Sequence, residues 1–413
     1  MGRVIVLIEE HYTIKKTDSV DYNDEKKNCI EILADFINVE EYHKFTQEIG
    51  KEATDATAFK IKGVKHSKRI SKGKYYSMDI GELKQHYRLE SIRNSYIYDF
   101  ELIPTEKPLS FENLFSEEKS FKEGDYYGGS KIPENGIDFR GLLNTQNQID
   151  ILVNNVGQGN WNEVQENNET RIVYDMGARL NAPKIEVDAL INKIVPRYNN
   201  LSTKPIMILS HWDKDHYHAL LGLNDNQIGL FEKYVFVGNP PTATARKAYN
   251  KITNVCSNVM VIRPGTKRKG MPSLPERVTT PNGIFDLYLG QIDSNRNLAS
   301  FQLFIRTSKS NALLCGDGGW FQINHIISEE ANLVEQDVVF NIVVPHHGSG
   351  IDKTYYGFVL PKRMKAEGAI ISVEKQKNIY GHPSQPLIDY LESFDFDVSR
   401  TDESINDEIV IHL

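Results

Sequence analysis

Two imidazoles and two carboxylates fall within six consecutive residues of this chain, in the stretch Ser210-His211-Trp212-Asp213-Lys214-Asp215-His216. Three later stretches carry the same residue types: Gly316-Asp317, His346-His347-Gly348-Ser349 and Tyr380-Gly381-His382-Pro383. Imidazole nitrogen and carboxylate oxygen are borderline-to-hard donors that suit Zn²⁺, Mn²⁺ or Fe²⁺. The run Ile206-Met207-Ile208-Leu209 before the first stretch is short, partly β-branched and preceded by Pro205, which predicts a buried strand. A buried strand that empties into a loop of His and Asp is where an α/β protein places metal ligands.

Spacing sorts these side chains. His211 and Asp213 are two apart, so an extended loop turns both to one side. Asp215 and His216 are adjacent, begin the next helix and point elsewhere, so one loop can serve two ions. Asp317, at the end of another strand, is placed to bridge them. His347, with His346 beside it, and His382 add imidazoles from two further strand ends. Two metals about 3.5–4 Å apart generate hydroxide near neutral pH and clamp the attacking and leaving oxygens of a phosphoryl centre. A lone His or Asp in a loop is more often a surface residue or a cap. His11, His43, His66, His86, His218, His325 and His412 are placed in that class. His211, Asp213, Asp215, His216, Asp317, His346, His347 and His382 are set apart because each follows a predicted strand and precedes turn residues.

The elements that must carry them begin near residue 148. Strands are expected at 149–156, 171–174, 206–209, 233–237, 285–289, 300–306, 312–314, 338–344, 368–373 and 408–413. Helices are expected at 182–195, 242–252, 322–330 and 385–394. Each polar cluster sits just past a strand end. Residues 1–140 carry no recognisable chemistry and are expected to form a separate N-terminal α+β region. Within it, 1–8 reads as a strand and 26–49 as a helix ending at Gly50. Residues 110–137, rich in charge and glycine, read as a linker or surface excursion. The lysines and arginine of 60–74 suit either contact with a phosphate backbone or a solvated hairpin or loop, with the solvated reading preferred.

A chain of 413 residues, 40% hydrophobic and 25% charged, has the composition of a globular protein with a large core. Its net charge of −8 argues against a generally basic nucleic-acid binder, although a local basic groove and a metal can still handle phosphate. Cys29, Cys256 and Cys315 are odd in number and widely spaced, as reduced thiols would be. The apolar run 4–8 is short for a signal segment and no stretch approaches the roughly 18 apolar residues of a membrane helix. The expectation is a cytoplasmic protein with no membrane partner.

The motifs resemble the metallo-β-lactamase superfamily, and more narrowly the branch found in the hydrolase domain of the competence (ComEC-like) DNA-uptake protein. The matching stretches are Val156-Gly157-Gln158-Gly159, Tyr174-Asp175-Met176-Gly177, Leu209 to His216, Leu313 to Asp317, Val344 to Ser349, Tyr380 to Pro383 and Arg400-Thr401-Asp402, in the family's order over residues 148–413. The resemblance implies a four-layer αβ/βα sandwich with its metal site at one edge between two sheets, and hydrolysis by a metal-bound hydroxide. It implies that His211 and Asp213 hold a first metal, that Asp215 and His216 hold a second, that Asp317 bridges and that His347 is a ligand. His346 and His382 would be ligands or would bind and protonate a substrate phosphate, and Asp175 would orient a ligand imidazole or the central loop. The sequence departs from the branch in having Asn155 and Asn160 where acids flank the Gly-Gln-Gly loop. It also has no His between Ala219 and Asn324, where many members have one.

On this reading the cofactors are two divalent ions, Zn²⁺ first and Mn²⁺ second, and the catalytic side chains are Asp215, His346 and His382. The first expectation is a phosphodiesterase or nuclease acting on DNA, with residues 60–74 and 263–269 touching the backbone. The alternatives are a hydrolase of a small phosphoester, cyclic nucleotide or lactone, and a non-catalytic binding or sensing protein that keeps the fold. Residues 1–140 are expected to meet a protein partner or regulate access.

Overall fold

The structure is a computed structural model that describes every residue except 1, 14–28, 55, 66–69, 72, 92–94, 106–108, 119–127, 133–135, 138, 140, 145–146, 268–269, 280–283, 294, 335, 351–352 and 375–380. The chain divides into two compact units. Unit 1 comprises Met1–Asp125 together with Asn181–Glu186 and Pro240–Lys251, and unit 2 comprises Tyr126–Leu180, Val187–Asn239 and Ile252–Leu413.

Unit 1 is built on a seven-stranded sheet among the described residues, in the order Tyr87–Ser91, Tyr98–Pro104, Ala58–Lys65, Cys29–Phe36, Arg3–Thr13, Tyr75–Asp79, Phe115–Glu117. The helix expected over 26–49 is two elements, the strand Cys29–Phe36 and the helix Val39–Ile49. Alternation decides the first half: Ile30, Ile32, Ala34 and Phe36 all enter one core, while the intervening residues are buried on the other face. The second half is capped by Asn38, whose side chain accepts from the Glu41 N–H, and it ends at Gly50 with φ 70°, as the sequence predicts. Phe45, Phe59 and Phe100 stack in the core with ring centroids 5.4 to 5.8 Å apart.

The basic segment 60–74 divides: Lys65 and Lys74 are exposed, as a solvated stretch would have them, but its first lysines are not. Lys60 lies in the strand Ala58–Lys65, is buried and pairs with Glu31 at 3.2 Å, and Lys62 pairs with Glu101 at 2.5 Å. These charges are spent inside the sheet. Lys68, Arg69 and Lys72 lie outside the described residues. Of the second basic segment, Arg263 is exposed, Lys267 pairs with Asp293, and Arg268 and Lys269 lie outside the described residues.

Unit 2 has two seven-stranded sheets among the described residues. The first runs Val259–Ile262, Lys233–Val237, Ile206–Ile208, Glu169–Tyr174, Asn162–Glu166, Ile149–Asn154, Glu408–His412. The second runs Glu276–Arg277, Phe285–Leu289, Phe301–Arg306, Ser310–Leu314, Val338–Val343, Met364–Ile371, Asp397–Arg400. Both are mixed, with antiparallel strands on one side and parallel strands on the other. One face of each contributes to a shared core: Ile151, Val164, Ile172, Ile208 and Val235 from the first, Leu287, Leu303, Ala312, Leu314 and Ile370 from the second. The outer face of the second sheet buries Phe304, Leu313 and Phe340 with Ile323 and Ile327 of the helix Trp320–Ala331 and Leu387 and Leu391 of the helix Gln385–Glu392. On the first sheet the alternate residues Val173, Met207 and Phe236 are equally buried, and the helix Lys184–Ile194 buries Val187, Ile191 and Ile194. The layers are therefore helix, sheet, sheet, helix: an α/β fold in the αβ/βα order.

Ile137, Phe139 and Leu143 join this core, and Ile137 N–H donates to Val278 O at 2.7 Å. Ile137 thus belongs to the core of unit 2, although the sequence reads 110–137 as a linker or surface excursion. Among the described residues no helix is long and apolar enough to cross a membrane.

Candidate metal centre

The parallel strands Glu169–Tyr174 and Ile206–Ile208 are in register, Tyr174 opposite Ile208, so they end together and release Asp175 and the 209–216 loop at one edge. In the second sheet Ser310–Leu314, Val338–Val343 and Met364–Ile371 run parallel and release Asp317, His346-His347 and Ser372 at their C-terminal ends. Tyr174 ties the two edges together: its hydroxyl donates to Phe301 O at 2.6 Å, and Phe301 N–H donates to Ser210 O at 2.9 Å. Close packing explains the glycine of the Asp-Met-Gly stretch. A Cβ on Gly177 would meet the Asp215 carbonyl oxygen at 1.8 Å, so only glycine lets that loop cradle the central one.

Two groups of donors converge. In the first, His211, His216 and Asp317 bring ligand atoms within 4.8 Å of one another; in the second, Asp215, His216 and His347 do the same. His211 Nε2 is 3.5 Å from Asp213 Oδ2 and 3.8 Å from Asp317 Oδ2. Asp317 Oδ1 is 3.1 Å from His216 Nε2, and His347 Nε2 is 3.2 Å from Asp215 Oδ2. Asp317 thus turns one oxygen toward His211 and the other toward His216. The side chains of His211, His216, Asp317 and His347 are almost wholly buried, and His211 Nε2, His216 Nε2, Asp317 Oδ1 and His347 Nε2 make no hydrogen bond. Burying such atoms unpartnered is costly. Their convergence fits divalent cations.

The opposite imidazole nitrogens are held. His216 Nδ1 is 2.8 Å from Asp175 Oδ2, and Asp175 also accepts from Ser210 N at 2.6 Å and Ser210 Oγ at 2.8 Å. His347 Nδ1 donates to Ser372 O at 2.9 Å, and Ser210 Oγ is 3.0 Å from His211 Nδ1. Each of these contacts leaves Nε2 as the free lone pair, the arrangement that orients a metal-binding imidazole. Asn160 Nδ2 lies 3.4 Å from His216 Nδ1, so this asparagine faces the same ring.

Charge follows geometry. Burial alone would lower the pKa of His216, but the Asp317 and Asp175 carboxylates beside it raise it well above the ordinary value. His347 is raised in the same way: burial opposes, while the Asp215 carboxylate beside it and the Asp317 charge outweigh it. Burial would raise Asp317, yet His346, His216 and His211 hold it well below the ordinary carboxylate range. His218, by contrast, is buried with its Nδ1 donating to Arg179 O at 3.1 Å, and burial pushes its pKa down to about 4. It belongs to neither donor group.

His346 and His382 lie at the rim. The His346 side chain is 38% exposed, with Nδ1 3.7 Å from Asp317 Oδ2, and its ring centroid is 5.9 Å from that of buried His382. Neither is in a donor group. His346 and His347 both adopt left-handed backbone, φ 50° and 52°, and so does Asp175 at φ 63°. Such conformations cost on the order of 1–3 kcal/mol each and persist where the surroundings over-determine them. Tyr380 lies outside the described residues.

Asp213 is also outside both groups; its Oδ1 is 3.1 Å from the guanidinium of Arg296. Arg296 and Asn297, on the 3₁₀ turn Arg296–Ala299, are site residues that sequence reasoning missed. Asn297 Nδ2 donates to Asp317 Oδ2 at 3.3 Å and lies 3.2 Å from His346 Nδ1. The turn has no periodicity to flag it; the signal was the run of Asp293, Asn295, Arg296 and Asn297 before a strand.

No protein-family model matches this chain, and no curated protein does. Similar solved structures include a metal-dependent hydrolase of the β-lactamase superfamily, at 13% identity and TM-score 0.34, covering 64% of this chain and 99% of that one. Another is the metallo-β-lactamase fold protein YhfI from Bacillus subtilis, at 9% identity and TM-score 0.35, covering 64% and 100%. A third is Zn²⁺-bound PqqB from Methylobacterium extorquens, at 10% identity and TM-score 0.32, covering 64% and 100%. The chain is an α/β protein, and these three structures similar to it are ones whose names place them with the β-lactamase superfamily, its fold, or a bound zinc ion.

Proposed function

We propose that unit 2 is a metal-dependent hydrolase for two divalent cations, Zn²⁺ before Mn²⁺, and that its substrate is a phosphodiester, DNA first. The observation that carries this reading is the convergence of His211 Nε2, His216 Nε2, Asp317 Oδ1 and His347 Nε2, buried without hydrogen bonds. His211 and Asp213 would hold one ion, Asp215, His216 and His347 the other, with Asp317 offering an oxygen to each. When bound, such ions supply Lewis acidity that ionises water near neutral pH and offsets charge on a phosphoryl centre.

The chain's own residues do the rest. Asp175 and Ser372 fix the ring orientation of His216 and His347. Asn297, donating toward His346 Nδ1, leaves the neutral ring's proton on Nε2, and the side chain is 38% exposed. His346 is thereby set to donate to a substrate oxygen, and the His382 ring meets it edge-on.

The test is incubation of the full chain with plasmid, single-stranded DNA and RNA in Zn²⁺ or Mn²⁺. Cleavage lost in Asp215→Ala and His216→Ala supports the reading. Cleavage that survives them sinks the assigned site. Hydrolysis confined to a small phosphoester, cyclic nucleotide or lactone overturns the substrate and keeps the chemistry.

A further inference from the structure

Asp213 faces two ways. Its Oδ2 is 3.5 Å from His211 Nε2, close to the separation of two donors on one tetrahedral ion, roughly 3.4 Å for bonds of about 2.1 Å. Its Oδ1 is 3.1 Å from Arg296, whose side chain is only 10% exposed. The turn that delivers Arg296 lies in the stretch where the sequence has no histidine, between Ala219 and Asn324. The His211 side of the centre therefore meets a fixed guanidinium. On the other side Asp215 faces His347 at 3.2 Å, and no lysine or arginine among the described residues pairs with it.

We propose that Arg296 makes the two cation sites unequal. The Asp215–His216–His347 side takes its ion first, and the His211–Asp213–Asp317 side fills only at higher metal concentration. A unit positive charge on one oxygen of a carboxylate opposes a divalent ion on the other, and this partly buried setting screens the repulsion less than water does. The same ion pair also holds Asp213 in position, although its Oδ1 accepts no hydrogen bond. The test must separate charge from orientation. The inference rests on the metal reading above.

The experiment is calorimetric titration of Zn²⁺ into chelator-stripped full-length protein, with competition against a zinc indicator. Wild type is expected to show two sites differing at least about tenfold in affinity. Arg296→Gln keeps an N–H donor and drops the charge; it should tighten the weaker site about tenfold and leave the stronger one unchanged. Arg296→Lys keeps the charge and should keep the gap, and Asp213→Asn should lose the weaker site alone. Circular-dichroism melting checks that each variant is folded, and Arg296→Met replaces Arg296→Gln if that variant is not. Two equal sites in wild type, or a gap that persists or widens on charge removal, overturn the proposal and leave the metal reading standing. Absence of Zn²⁺ uptake by the folded protein overturns both.

Discussion

His347 Nε2 lies 3.2 Å from Asp215 Oδ2, while the other nitrogen of the same ring donates to the Ser372 carbonyl at 2.9 Å. One side of the imidazole is fixed by backbone and the other is aimed at a carboxylate with no hydrogen bond between them. His347→Ala and Asp215→Asn should each cost more affinity for the tighter ion than the roughly 10–100-fold typical of an outer-sphere change. Indicator competition with Zn²⁺ measures this directly. A loss below tenfold in both would mean that this pair is not a ligand pair.

Asp175 acts through others. It holds His216 Nδ1, Ser210 N and Ser210 Oγ from a left-handed position at the end of its strand. Asp175→Asn keeps the size and loses the charge, and should weaken metal binding by about 10–100-fold while the fold survives. Equal metal affinity in this variant would remove Asp175 from the positioning role.

Metal removal should be visible in stability. A ligand that binds the native state alone stabilises it by about 2.7 kcal/mol at a hundred times its dissociation constant. Melting in excess chelator should therefore fall several degrees below melting in Zn²⁺. His347→Ala should shrink that difference. An identical transition with and without chelator counts against a native-state ion.

In unit 1, Lys60 and Glu31 form a nearly buried pair at 3.2 Å. Lys60→Met takes the ammonium away from Glu31 and should destabilise by up to about 3–5 kcal/mol, whereas Lys60→Met with Glu31→Leu should recover most of the loss. Burial lowers the Lys60 pKa, but Glu31 and Tyr98 outweigh it and raise it above the ordinary 10.5. Its folded pKa being raised, the stabilisation is fully present below about pH 10.5 and is lost as pH climbs through the higher folded value. Denaturant midpoints at pH 8 and pH 11 should therefore converge between wild type and the double variant. A constant difference would show that Lys60 does not titrate in that range.

The parts of the centre that were legible in the sequence are those that follow strands. Lys233–Val237 and Phe285–Leu289 match their expected bounds, and Ile206–Ile208 differs by one residue, because apolar runs in a two-sided core announce themselves. The central loop was legible because its donors are contiguous. Arg296 and Asn297 were not, because a turn between antiparallel strands is placed by the sheet and carries no pattern of its own. The strand Cys29–Phe36 reads as helix in the sequence because Cys29, Ile32, Leu33 and Phe36 fall at helical spacing, and burial of both its faces leaves apolar residues on each. The short strands Asn162–Glu166 and Asp397–Arg400 went unseen because polar residues fill them.

His346, His347 and Gly348 are three successive residues at positive φ. A stretch of L-residues bent in the mirror-image sense narrows what heredity can try there. Saturation libraries at 346 should recover glycine, asparagine and aspartate well ahead of valine, isoleucine or threonine on folding alone. Any further preference for histidine at that position then measures what selection demands of its chemistry, separately from what the backbone permits.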